Sequence, residues 1–186
     1  MIESKDRSYY FGASDVDKIV GKWGSNTWYK WWLQKLGINH DSFSNRYTEA
    51  GTHFEHRILE HLKIPELVLD KQIIIENLRL RVNLDGNTDT CIYECKTYKY
   101  DPAKQWKPPQ KYINQVQIQM YASGIHSANI VAYGLVEKDY YNYFSDIEDK
   151  RLTVYPITYD EQWVKNVYFF KHGILLKHLI EGSCPV

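Results

Sequence analysis

The sequence predicts an α/β (α+β) fold: a central mixed β-sheet flanked by helices. Three observations carry that prediction. Apolar residues recur at helical spacing as far as residue 62. They then switch to a period of two between residues 67 and 98. After one more helical stretch, the apolar run 128–136 reads as a buried strand. The 186 residues suggest one domain spanning 1–186, large enough to build a core.

Each element has its own signal. Residues 14–20 read as a short helix ended by Gly21, with Ser14-x-x-Asp17 resembling a capping box. A second helix covers 26–36, with Asn26 as its cap and Gly37 as its stop. A third covers 48–62, where Phe54, Ile58, Leu59 and Leu62 keep helical spacing. Strands follow at 67–75, at 78–84 with Leu78, Leu80, Val82 and Leu84 alternating, and at 91–98. The proline-containing stretch 102–109 is a loop long enough to be functional. Residues 112–123 form a helix closed by Gly124, and strand 128–136 comes next. A last strand, 152–157, belongs at a sheet edge because Pro156 cannot donate to a ladder. Thr158-x-x-Glu161 then opens a long helix that runs to residue 180 and stops at Gly182.

Composition excludes several classes. Cys91, Cys95 and Cys184 form no CxxC, and the first two, four apart on one strand, are separated by roughly 13 Å, too far for a disulfide. This predicts a reducing, cytoplasmic setting. The polar start from Ile2 to Arg7 is not a signal peptide, and no apolar run approaches the ~20 residues that span a membrane. The formal net charge is zero, which argues mildly against nucleic acid. Locally the balance differs: Lys96, Lys99, Lys104, Lys107 and Lys111 face only Asp101, a basic patch or a solvated loop. The run from Tyr140 to Phe144 suits a surface hairpin or an oligomer contact.

Asp85, Glu94 and Lys96 are the chemical core of the sequence. An acid follows one strand-like run, and Glu-x-Lys lies on the next, where a period of two puts both side chains on one face. Two carboxylates and the Cys95 carbonyl can ligate Mg²⁺, and Lys96 can position or deprotonate water or stabilise charge. The same residues also fit a strand-surface salt bridge and a turn aspartate before Gly86. Glu55, one turn after Gly51 on the third helix, is either a third carboxylate for the site or a solvated glutamate. Gln115, Gln117 and Gln119 are amides able to orient water or phosphate, or a polar helix face.

Four segments in order resemble the PD-(D/E)xK nuclease superfamily, specifically the lambda-exonuclease or YqaJ-type viral recombinase nucleases. They are Arg7 with Gly12-Ala13-Ser14-Asp15-Val16, Gly51-x-x-x-Glu55, Leu84-Asp85-Gly86 with Glu94-Cys95-Lys96, and Tyr112-x-x-Gln115-Val116-Gln117-x-x-Met120. The resemblance spans residues 7 to about 124 and implies a restriction-endonuclease-like core. It implies a Mg²⁺-dependent exonuclease, with Mn²⁺ able to substitute, that digests duplex DNA ends 5′→3′ in phage-type recombination. A structure-specific or restriction-type endonuclease and a non-catalytic binding derivative are the alternatives. By resemblance, Glu55, Asp85 and Glu94 are the metal carboxylates, Lys96 is the catalytic lysine, and Gln115 and Gln117 supply the active-site amide. Arg7 and Ser14 match the place of a 5′-phosphate pocket, with Lys99, Lys104 and Lys107 as further DNA contacts. A single-strand annealing protein and a trimeric ring are the implied partner and assembly. The motif's usual Pro is replaced by Leu84. Three Cys at these spacings argue against the four-Cys iron–sulfur cluster found in some relatives.

Overall fold

A computed structural model of the protein describes residues 8–39 and 46–186. Five strands form one sheet in the order β1 (Val68–Ile75), β2 (Leu80–Asn87), β3 (Ile92–Lys99), β4 (Ser127–Leu135) and β5 (Leu152–Thr158). Only β3 and β4 are parallel among neighbours, from Ile92↔Ala128 to Lys99↔Leu135. A parallel pair needs a crossover, and helix α4 (Gln110–Ser123) lies in it. Helices α1 (Val16–Val20), α2 (Asn26–Lys35) and α3 (Arg46–His61) precede the sheet. After β5 comes α5 (Glu161–Trp163), then a π-helical turn over Val164–Tyr168, then α6 (Phe169–Glu181). The expected mixed sheet with flanking helices is thus observed.

The sheet separates two apolar layers. On one side Trp28, Trp32, Leu80, Val82, Leu84, Val116, Ile118 and Leu175 are buried together. On the other, Ala50, Phe54, Ile58 and Leu59 of α3 meet Val131, Tyr133 and Leu135. Each fully buried aliphatic side chain contributes ~1.5–3 kcal/mol by leaving water.

The ladder between β2 and β3 is short. Among the described residues it pairs only Gly86↔Tyr93 and Asn87↔Ile92, and the strands then diverge. Phe11 takes the vacated edge of β2: its N–H donates to Arg79 O at 2.7 Å, and its carbonyl accepts from the Arg81 N–H at 2.9 Å. Asp85 therefore lies inside a strand rather than after one, because the turn falls at Thr88, whose N–H bonds Cys91 O.

Several caps differ from expectation. The first helix begins as a 3-10 turn, Ala13–Asp15, and Asp15 Oδ2 accepts from Gly12 N at 2.7 Å, so Ser14 is not the cap. Ser25, not Asn26, caps α2 by accepting from Trp28 N. Asp160, not Thr158, caps α5 through Trp163 N, because Thr158 is still paired in β5. The single long helix expected next is interrupted by the π-helical turn, which keeps Val164 and Tyr168 on the buried face with His172, Leu175 and Leu179.

The segment between β4 and β5 is braced by Arg151, almost fully buried, which bonds Asp139 Oδ2 at 2.5 Å and Gly134 O at 3.0 Å. Its tyrosine-rich run is a 3-10 turn with irregular chain, not a hairpin. Arg57 of α3 donates to the carbonyls of Tyr143 and Ser145, and His53 stacks on Tyr143 with 4.3 Å between centroids.

Candidate active site

Glu94 is the centre of the candidate site. Its carboxylate is 1% exposed and every contact is charge-assisted. Oε1 accepts from Lys96 Nζ and from Gln115 Nε2, both at 2.5 Å, and Oε2 accepts from Gln119 Nε2 at 2.5 Å. The period of two on β3 does put Glu94 and Lys96 on one face. They form a pair, as a plain salt bridge would, but Glu94 is buried, Lys96 is partly so, and the pair faces α4. Positions 115 and 119 lie one helical turn apart and both meet Glu94, so this face of α4 does not look to solvent. Gln117 is turned away: its Nε2 donates to Thr158 O at 2.9 Å and its Oε1 accepts from Asp160 N at 2.7 Å. It ties α4 to the end of β5, because two residues along a helix swing a side chain about 200° around the axis. Gln119, one of the three glutamines weighed from the sequence, is not among the residues that the resemblance assigns to the site. Its i, i+4 spacing with Gln115 fits a shared site face as well as a solvent face.

Asp85 fills the gap between the diverging strands, where its Oδ2 accepts from the Cys95 N–H at 2.8 Å. The carboxylate replaces a ladder acceptor that β2 no longer supplies. Cys95 itself lines the adjoining cleft. Glu55 on α3 faces the same charges. Burial pushes its carboxyl up, and Glu94 pushes it further. Burial raises Asp85 well above the usual carboxylate range, followed by Glu94 and Glu55. For Lys96, burial alone would lower the ammonium's pKa. Glu94 and Asp85 outweigh that and raise it, so Lys96 is protonated at neutral pH. Its Nζ also sits 5.1 Å from the centroid of the Tyr112 ring.

A cleft of about 460 Å³ opens beside these groups, lined by Gly51, Thr52, Glu55, Lys96, Tyr112 and Tyr140 among others. A side chain at Gly51 would press on Thr97 Oγ1 at 3.2 Å, so the glycine lets α3 come close to β3. A larger cleft, about 760 Å³, lies between Tyr9, Tyr10, Arg79 and Glu181 and contains none of the expected site residues.

The donor set fits a hard divalent cation: three carboxylates share one region with one ammonium, and two of those carboxyls are raised by burial and then by their neighbours' negative charge. The tightest donor trio among the described residues is a different one. Glu55, His56 and Asp70 bring ligand atoms within 4.8 Å of one another. Asp70 falls between the pairs Leu69↔Gly86 and Lys71↔Leu84, opposite Asp85, and its carboxylate bonds His56 Nε2 at 3.1 Å. Glu55 therefore stands between an outer His–Asp pair and the inner Asp85–Glu94 pair.

The remaining expected residues are more dispersed. Ser14 is exposed on the first 3-10 turn, and Arg7 lies outside the described residues. Lys99 lines the cleft. Lys104 is on the surface, 3.2 Å from Asp101, and Lys107 is exposed in the same loop. That loop is held by Trp106, which stacks on Tyr98 at 5.3 Å and whose carbonyl accepts from the Tyr155 hydroxyl.

Comparison with solved structures identifies the class of fold. An alkaline exonuclease from Laribacter hongkongensis, LHK-Exo, superimposes with a TM-score of 0.72 at 19% identity, covering 92% of this chain and 88% of that one. The same enzyme in complex with dAMP gives a TM-score of 0.70 at 21% identity, with 92% and 88% covered. A phage-related exonuclease from Haemophilus somnus gives 0.66 at 15% identity, covering 92% and 95%. The architecture is therefore that of these exonucleases. The family follows from sequence: residues 4–126 match the YqaJ-like viral recombinase domain, and the chain belongs to that family. No curated protein matches it in sequence. Among the described residues, no helix is long and apolar enough to cross a membrane.

Proposed function

We propose that this protein is a divalent-metal-dependent deoxyribonuclease that removes nucleotides from duplex DNA ends in the 5′→3′ direction. One observation carries the reading: a buried Glu94, gripped by Lys96 and Gln115, lies against Asp85 and Glu55 at the side of a cleft. Membership of the viral recombinase family supports it. The structural neighbours, alkaline and phage-related exonucleases, point the same way.

Asp85, Glu94 and Glu55 would hold the cation, with the Cys95 carbonyl as a backbone ligand; Mg²⁺ suits these oxygens and Mn²⁺ can replace it. The bound cation would offset the charge that builds on the phosphate as its ester bond breaks. Lys96 works as a donor rather than a base, since its neighbours hold its proton in place. Its Nζ can stabilise a phosphate oxygen in the cleft. Glu55, on the cleft wall, has a second carboxylate oxygen that could take a proton from an attacking water. Gln115 keeps Glu94 oriented. Lys99 and Lys107 extend positive charge along the DNA path. Arg7 and Ser14 are assigned to a 5′-phosphate pocket, and a single-strand annealing protein and a trimeric ring to the assembly, by resemblance to the family. The chain acts in the cytoplasm as a single nuclease domain.

The test is digestion of end-labelled linear duplex beside closed circular DNA, with Mg²⁺ and with EDTA. We expect Mg²⁺-dependent loss of the linear form from 5′ ends and no change in the circle. Cutting of the circle assigns an endonuclease. No cleavage with either Mg²⁺ or Mn²⁺ leaves a binding protein on a nuclease fold.

A further inference from the structure

We infer that Gln119 is a positioning residue of the site, fixing the spacing between Glu94 and Asp85 where the sheet itself does not. The inference rests on the metal-dependent reading above. The strands that carry Asp85 and Glu94 diverge just beyond Gly86↔Tyr93, so no backbone ladder sets their separation there. The Gln119 amide bridges the gap: one Nε2 donates to Glu94 Oε2 at 2.5 Å and to Asn83 O at 3.2 Å. Asn83 lies on β2, two residues before Asp85. A single NH₂ group, with two protons to give, thus ties the strand of one carboxylate to the other carboxylate.

Three details separate this from ordinary core packing. Gln119 is fully buried, and its Oε1 has no hydrogen-bond partner among the described residues. A buried orphan acceptor is costly, and an apolar side chain of the same size would fill the space without it. Next, the Glu94 oxygens are unequally occupied. Oε1 accepts two donors and Oε2 only that of Gln119, which leaves a lone pair of Oε2 for a cation. The bond from Gln119 falls on the very oxygen that would ligate. Finally, Gln117 on the same helix provides an internal contrast, since it bonds only Thr158 O and Asp160 N and anchors the fold.

The experiment compares Gln119→Met with Gln117→Met, using Mn²⁺ titrated into the metal-free protein by calorimetry, melting temperature in EDTA, and cleavage rate against Mn²⁺ concentration. For Gln119→Met we expect Mn²⁺ affinity to fall about 10- to 100-fold, the magnitude typical when the hydrogen-bond partner of a metal ligand is lost. Its EDTA melting temperature should fall, because the buried Glu94 Oε2 loses its donor, and kcat at saturating Mn²⁺ should largely recover. Gln117→Met should also melt lower, but with unchanged Mn²⁺ affinity. If Gln119→Met does not fold, Gln119→Ala takes its place, and collapse of both makes Gln119 a core residue and overturns the inference. Wild-type affinity in the Gln119 variants, or an equal loss in Gln117→Met, overturns it while leaving the nuclease reading intact. A wild-type protein that binds no Mn²⁺ and no Mg²⁺ overturns the metal-dependent reading and this inference together.

Discussion

At the end of β4, Asp139 is fully buried, yet its carboxyl is held below the usual range. Burial pushes it up, but the Val136 N–H, Arg151 and Ser145 more than compensate. Its neighbour Glu148 is brought down to about 2 by Lys150 and Lys138, with Arg151 adding to the effect. At the candidate site Asp85 and Glu55 move the opposite way, because burial, and after it the charge of Glu94, outweighs the cations beside them, Lys96 among these. One cluster has its positive charge built in. The other is short of it. A protein keeps such a shortage where a cation or a charged substrate is to supply the balance.

The largest effect should come from breaking the balanced cluster. Arg151→Met strands the buried Asp139 and should cost about 3–5 kcal/mol in urea unfolding. A loss below 1 kcal/mol would erase the contrast with the site. Next is Asp85→Asn, which keeps an acceptor for the Cys95 N–H and removes a charge. We expect the EDTA melting temperature to hold or rise while cleavage falls by about two to three decades. Asp85→Ala should instead lose about 1–3 kcal/mol of stability by freeing that N–H. Equal stability of the two variants would remove the structural role given to the carboxylate.

Acidity should pull the clusters apart. Asp85 and Glu55 bind protons more tightly when folded, so their contribution to stability is full below the ordinary carboxylate range, ~4, and declines as pH rises through their raised values. Asp139 and Glu148 have lowered values, so theirs is present above that range and fades as pH falls, for Glu148 toward about 2. Melts in EDTA across this range should show both limbs, and Mg²⁺ should suppress only the upper one. An upper limb indifferent to Mg²⁺ would argue against a cation at the carboxylates. The smallest change belongs to Lys104→Ala. Loss of its exposed pair with Asp101 should leave the melting temperature unchanged while DNA affinity weakens with a shallower salt slope. An unchanged slope would remove Lys104 from the DNA path.

The sequence exposed the sheet well because the alternation at Leu80, Val82 and Leu84 follows real burial on one face. Glu94 and Lys96 were legible for the same reason. Element ends were less so, because Ser14, Asn26 and Thr158 sit beside Asp15, Ser25 and Asp160, and geometry alone decides which oxygen reaches the orphan N–H. Asp85 looked like a turn residue because Asp-Gly ordinarily marks one. Here Gly86 is in the strand, where a side chain would press on Leu59 and Leu67 at 3.1 Å. The choice among Gln115, Gln117 and Gln119 depended on the rotation of α4, which tertiary packing sets. The Arg151 brace left no motif, since its partners are scattered from Gly134 to Glu148.

The parting of β2 from β3 has a mechanical consequence. Along that seam the β1–β2 hairpin is joined to β3 and α4 by the pairs at Gly86 and Asn87, and beyond them by the Asp85 carboxylate and the Gln119 amide. The seam is therefore stitched partly by the candidate site's own side chains. Whatever binds those side chains also stiffens the joint between two halves of the sheet, so occupancy of the cleft should be readable far from it, as slower amide exchange along the inner edges of β2 and β3.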